Sequence, residues 1–249
     1  MNVYLVIEYD GTDYCGWQIQ PNGASVQEEL QRALFKLTGE KISVTGSGRT
    51  DSGVHAAGQT ASFSVEKENI PPENYAPALN GLLPKDIRVL KSGRAPDGFN
   101  ARFSAKRKTY RYTFYVSAVE RPLYERYAVR TLPLDTEKMR AAAAVLVGEK
   151  DFKCFCAANS SVKDTVRTLY SLEVERRGDF ITVTACGNGF LYNMVRIVAG
   201  TLAVAGEGKL SVEDVKKIVE GGKRAEGKTM PAKGLCLLSV EYGGALHNI

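Results

Sequence analysis

The hydrophobic periodicity of this 249-residue chain switches between strand and helix spacing in one order, and that order occurs twice. Residues 1–10 alternate as a half-buried strand does. Ser25-Val-Gln-Glu28 is a capping box, and Val26, Leu30, Ala33, Leu34 and Leu37 recur at helical spacing up to Gly39. Strands are expected at about 41–46 and 58–65, a short helix near 73–83 opened by Pro71-Pro72, and a strand at 87–90. The second half begins with a strand at 108–116, and Asp135 then caps a helix through Met139, Ala142, Ala143 and Leu146. Strands follow near 166–175 and 180–186, a helix at about 190–204, an added short helix at 211–220 opened by Ser211 and Glu213, and a last strand at 235–242. Strand-helix-strand-strand-helix-strand is the split β-α-β, ferredoxin-like unit. Two copies predict a pseudo-symmetric α+β protein with antiparallel sheets, halves 1–105 and 106–249, and a basic cleft between them. The halves share topology and no evident sequence identity. The RNA-binding RRM is the same unit.

Residues 46–60, GSGRTDSGVHAAGQT, connect two of the expected strands. They hold Arg49, Asp51, His55, Ser47, Thr50 and four glycines. Polar groups on a glycine-rich loop between rigid elements are how sites are commonly built. Dinucleotide and P-loop fingerprints fail, because Asp51 stands where the third glycine belongs and Val54 follows Gly53. With two histidines in the chain, His55 and His247, a metal-ligand set is incomplete, so no metal is expected. A triad of Asp51, Ser52 and His55 is too close in sequence for its geometry. The plain structural reading is a hairpin loop with Arg49 and Asp51 as a local ion pair.

Net charge is +5, with 44% apolar and 24% charged residues, as expected of a chain that can bury a full core. The opening MNVYLVIEYDGTDY reads as a strand rather than a signal peptide, and no apolar run is long enough to span a membrane. Five cysteines without framework spacing read as reduced thiols of a cytoplasmic protein. Arg102, Lys106, Arg107, Lys108 and Arg111 cluster around one strand, among Phe99, Phe103, Tyr110, Tyr112, Phe114 and Tyr115. Basic and aromatic residues together suit a stacking platform for unpaired bases. Arg176-Arg177, Lys216-Lys217 and Lys223-Arg224 form smaller clusters. In GNGFLYNMVRIVAGTL, 187–202, Arg196 sits amid an apolar helical pattern. It either snorkels to the surface or pairs with an acid from elsewhere, for which Asp51 is the candidate.

GRTDSGVHAAGQ, KTYRY, GFLYNMVR, PAKGLCLLSVEY, EYDGTDYCGWQIQ and FNARFSA together resemble, in order and from end to end, the bacterial tRNA pseudouridine synthase A family. The resemblance implies two RRM-like halves and isomerisation of uridine to pseudouridine at positions 38, 39 and 40 of the tRNA anticodon stem-loop. It implies no cofactor, no metal, and a homodimer bridged by tRNA. The family's catalytic aspartate falls on Asp51, the adjoining arginine on Arg49, the base-stacking tyrosine on Tyr110, the aspartate's partner on Arg196, and the apolar residue beside the pocket on Leu191. Arg102, Lys106, Arg107 and Lys108 are candidates for the RNA backbone. Ser52 and Lys150 depart from the family's usual alanine and histidine. A non-catalytic RRM-like RNA binder and a synthase acting on another RNA are the rival readings, and a hydrolytic nucleosidase would release free uracil. His55 is expected to be structural, bonding for example a loop carbonyl.

Overall fold

The computed structural model describes residues 1–158, 162–221 and 228–244; Lys223, Arg224 and His247 lie outside them. The chain divides into two compact units, Met1–Lys108 with the segment from Leu237, and Thr109–Cys236. The last strand therefore counts with the first unit, whereas chain order had grouped it with 106–249. Among the described residues no helix is long and apolar enough to cross a membrane.

In the first unit the elements are β1 (Asn2–Tyr9), α1 (Val26–Thr38), β2 (Thr45–Gly46), β3 (His55–Ser64), α2 (Tyr75–Asn80) and β4 (Ile87–Arg94). β1 lies antiparallel between β3 and β4, and β2 pairs antiparallel with β3. The spatial order β4-β1-β3-β2 matches the split β-α-β unit expected from the sequence. The closing strand (Leu235–Tyr242) lies on the other side of β3 from β1. Gly58 makes that approach possible, since a Cβ there would stand 2.5 Å from the Leu238 carbonyl oxygen. Ser25 caps α1 by accepting from the Glu28 amide, and Gly39, at φ 74°, ends it. Two boundaries differ from expectation. β2 keeps two residues of the strand foreseen at 41–46, and β3 begins at His55, so the second half of the glycine-rich run is strand. From Ala56 to Ser62, where β3 pairs with β1, every residue but Ala57 is buried.

The second unit is built from β5 (Ala105–Val116), β6 (Val129–Thr131), α3 (Thr136–Ala144), β7 (Gly148–Asp151), β8 (Val166–Arg177), β9 (Phe180–Gly187), α4 (Met194–Gly206) and α5 (Val212–Gly221). The strand from Leu235 to Tyr242 completes the count as β10. The sheet of this unit runs β5-β9-β8-β7, with β6 parallel to β5. β9 alternates strictly, with Ile181, Val183 and Ala185 inside. Asp135 caps α3 by accepting from the Glu137 and Lys138 amides. α3 packs on β8, α4 and α5.

α4 is apolar all round: every residue but Arg196 and Val204 is buried. It starts four residues later than periodicity predicts, because Asn193 adopts φ 59°, ψ 9° and cannot continue a right-handed helix. One face lies under the chain at Lys228. A Cβ on Gly200 would stand 2.1 Å from the Lys228 carbonyl oxygen. Glycine to alanine inside a helix normally stabilises by about 1 kcal/mol. Here Gly200→Ala is expected to destabilise by ~1–3 kcal/mol through overpacking against backbone. Gly221→Ala, in α5 with nothing within 4 Å, serves as the unobstructed control in urea unfolding and is expected not to destabilise.

Candidate active site

The turn that carries Asp51 is held from below by the segment following β1. Val54 N–H donates to the Asp51 carbonyl at 3.1 Å, closing a tight turn. Gly53, its third residue, takes φ 76°, the conformation a type II turn demands there. The Tyr14 carbonyl accepts from Gly53 N–H and from the Ser52 hydroxyl, at 3.3 and 3.2 Å. Serine at 52 thus adds a side-chain bond to the clamp. Trp17 N–H donates to the Thr50 carbonyl at 3.1 Å, and the Tyr9 and Thr50 hydroxyls bond at 2.7 Å. Gly11 and Gly16 permit this contact: a Cβ on Gly11 would lie 2.0 Å from the Val54 oxygen, and one on Gly16, at φ 100°, 2.5 Å from the Thr50 oxygen. Tyr14 is anchored in turn by a 2.7 Å bond to Asp86, and burial together with that bond raises its hydroxyl above the usual tyrosine range.

The other end of the turn is tied just as closely. Ser47 N–H donates to the Thr60 carbonyl at 2.7 Å, the Ser47 hydroxyl donates to Gln59, and the Gln59 amide donates to the Gly48 carbonyl at 3.0 Å. Lys108, expected on the RNA backbone, gives its ammonium to the Ser47 carbonyl at 2.7 Å, so part of its donor capacity serves the loop. Between these anchors Asp51 is half-buried, and Arg49 is exposed. The local Arg49–Asp51 ion pair of the plain reading does not form, and Arg49 makes no hydrogen bond or ion pair with the described residues.

His55 is 5% exposed and sits at the start of β3. Gly11 N–H donates to its Nδ1 at 3.1 Å. Asp10 Oδ1 stands at the same distance from Nδ1, a contact that becomes an ion pair only on protonation of the ring. The ring therefore supports the Gly11 backbone through its amide.

In the second unit Tyr110, on β5, is 8% exposed and meets Phe190 edge to face at 5.2 Å. Leu191 is buried in the turn before α4, which Met194 N–H closes by donating to its carbonyl at 3.0 Å. Neither Phe190 nor Leu191 is on the helix. Arg196, half-buried in the first turn of α4, does not simply snorkel: its Nε donates to the Met230 carbonyl and its Nη1 to Asn193 Oδ1, both at 2.6 Å. Met230 N–H returns a bond to the Arg196 carbonyl at 3.3 Å. The segment from Lys228 to Gly234 is fixed at its far end by Tyr112, whose hydroxyl donates to the Pro231 carbonyl at 2.8 Å. A Cβ on Gly234 would lie 2.5 Å from the Tyr112 ring. Burial raises the Tyr112 hydroxyl above its ordinary range, against a smaller opposite pull from Arg196, so it stays a donor.

The stacking platform needs correction. Tyr112, Phe114 and Tyr115 are fully buried: Tyr112 and Phe114 pack together on one face of β5, and Tyr115, on the other face, packs on Tyr124. Phe99 packs on Tyr242 at 5.0 Å. Phe103 is the aromatic of that block left in solvent, 79% exposed, with the Arg102 guanidinium 5.6 Å from its ring centre. Lys106 and Arg107 are exposed nearby in the chain. Among the described residues no three histidine, cysteine, aspartate or glutamate side chains group as metal ligands would. Sequence reasoning missed Tyr9, Thr50, Gly11 and Gly16 as the supports of Asp51, and Asn193 and Met230 as those of Arg196. The spacing of Gly11 and Gly16 was a signal for the first set; for Met230 there was none.

A family model described as tRNA pseudouridine synthase matches residues 5–104 and 142–243. The chain is 49% identical over 245 residues to tRNA pseudouridine synthase A of Citrifermentans bemidjiense, covering 97% of each. It is 47% identical over 244 residues to the protein of that name from Geobacter sp. strain M21, covering 97% of this chain and 98% of the relative. Against the one from Thermoanaerobacter sp. strain X514 it is 44% identical over 243 residues, covering 97% and 99%.

His55→Ala leaves the buried Gly11 N–H without its acceptor. It is expected to cost about 1–3 kcal/mol of stability in urea unfolding. Unchanged stability would show that the ring does not support this loop.

Proposed function

Because the chain belongs to the tRNA pseudouridine synthase family, an isomerase family acting on tRNA, we propose that it converts uridine to pseudouridine at positions 38, 39 and 40 of the anticodon stem-loop, with Asp51 as the catalytic carboxylate. The observation that carries this reading is a half-buried aspartate on a turn tied down at both ends, two residues from an exposed arginine without a partner among the described residues. An ion pair kept for stability would have used Arg49. An arginine left in solvent beside a fixed carboxylate is available to a polyanion.

The reaction detaches uracil from C1′, rotates it and rejoins it through C5. The target base must first leave its stack, at a cost of a few kcal/mol in order of magnitude. In this scheme Arg102, Lys106, Arg107 and Lys108 offset that cost through phosphate contacts. Arg49 fills the space left by the flipped nucleotide or holds its phosphate. Attack at C1′, attack at C6 and removal of the C2′ proton all require Asp51 ionised, and Arg196 supplies the positive charge that keeps it so. Tyr110 offers a flat face to the base and a hydroxyl for proton transfer at C5. Leu191 keeps water from the detached base. No step calls for a metal or cofactor. The exposed apolar residues Val119, Leu123, Tyr127 and Leu132, all between β5 and α3, suit the homodimer that the scheme includes.

Tritium release from tRNA labelled at C5 of uridine tests the proposal. Asp51→Asn is expected to lower the rate by at least ~10²–10⁴-fold, the range for loss of an acid-base or nucleophilic group. Binding without release by the wild type would favour the RNA-binding reading, and free uracil the nucleosidase. Arg196→Met is expected to move the acidic limb of the pH-rate profile to higher pH, since the carboxylate loses the cation favouring its charged form. An unmoved limb would remove Arg196 from the scheme.

A further inference from the structure

Asn193 is the one non-glycine residue with positive φ among the described residues. It stands at the N-cap of α4, a position where asparagine normally turns its side chain onto the helix amides. It makes no such bond. Its side-chain oxygen instead accepts from Arg196 Nη1 at 2.6 Å. The residue thus gives up a cap and adopts a sparsely populated backbone conformation at once. Strain that persists in a well-packed segment is a reason to look for a function there.

We propose that Asn193 is a positioning residue for pseudouridine formation: with the Met230 carbonyl it holds the Arg196 guanidinium in the orientation from which that group serves Asp51. The proposal rests on the role given to Arg196 above. Two acceptors on two different nitrogens, Nε and Nη1, fix the plane of a guanidinium, where a single bond leaves it free to rotate. Both acceptors are neutral, an amide oxygen and a backbone carbonyl. They orient the charge without cancelling it, which an aspartate at 193 would do. Glycine tolerates this backbone conformation best but has no oxygen to offer. Asparagine combines tolerance of the left-handed region with a neutral acceptor on a short side chain. The same conformation stops the helix short of Leu191, so one residue sets both the start of α4 and the aim of its arginine.

Asn193→Gly separates the two roles, because it keeps the backbone and removes the oxygen. Single-turnover pseudouridine formation on tRNA, followed against pH, is compared for Asn193→Gly, Arg196→Met and the double variant, with thermal unfolding of each. Asn193→Gly is expected to melt no lower than wild type, and to lose ~10–100-fold in kcat, as small misplacements of a reacting group do, with KM little changed. Its acidic limb should move the same way as that of Arg196→Met, and the double variant should lose no more than Arg196→Met alone. Asn193→Asp should also lose kcat, since its carboxylate takes up the guanidinium charge. Wild-type kcat and pH profile in Asn193→Gly beside a defective Arg196→Met would overturn the clamp and leave Arg196 in place. An additive loss with an unmoved profile would reduce Asn193 to a structural residue and equally overturn it. A wild-type Arg196→Met would overturn the role of Arg196 itself, and the clamp with it.

Discussion

Two stretches of backbone, 9–17 and 48–54, lie so close in the first unit that no side chain fits at Gly11 or Gly16. Gly11 and Gly16 meet the Val54 and Thr50 carbonyls, and bonds from Ser52, Gly53 and Trp17 join the two stretches. Each such bond contributes about 1 kcal/mol net. Their larger effect is geometric: they leave the Asp51 turn one conformation. A carboxylate carried on β-strands and a doubly tied turn is held more tightly than one on an ordinary surface loop. The Gln59 and Lys108 contacts at the other end, and His55 under Gly11, extend the same constraint.

The second unit solves a similar problem with similar means. A backbone segment, here Lys228 to Gly234, crosses a helix and a strand at glycines, Gly200 under it and Gly234 within it. Its carbonyls then become fixed acceptors, Met230 for Arg196 and Pro231 for Tyr112. Backbone carbonyls suit this use because secondary structure around them sets their direction, while a side-chain acceptor must first lose rotamer freedom. In both units the charged residue is aimed by main chain packed at contact distance. Glycine is therefore required at positions remote from any chemistry.

Much of this was legible before any coordinates. The capping residues and periodicities placed α1, α3 and most strands, since those signals are local and concern which face meets the core. The glycine-rich run with its one carboxylate was legible as a candidate site because polar residues have no place between two buried strands without a reason. The errors have physical causes as well. Tyr112, Phe114 and Tyr115 looked like a stacking surface because composition does not say that both faces of this strand are covered. The start of α4 was placed too early because Phe190 and Leu191 fit a helical face, while a single residue in the left-handed region ended the helix before reaching them. His55 accepts from an amide that lies 44 residues away in sequence, a contact that no local pattern announces.

By itself the sequence determined the element order, the two-unit α+β plan, the family and the residues that carry charge in its motifs. These depend on periodicity and on residue identity, both of which are read along the chain. Tertiary structure alone decided which backbone segments lie under Asp51 and over Arg196, which aromatic rings are core, and that the closing strand counts with the first unit. Those facts arise from contacts between residues far apart in sequence, where the partner is often a main-chain carbonyl. A carbonyl is present at every position, so its use leaves no mark in the amino-acid sequence.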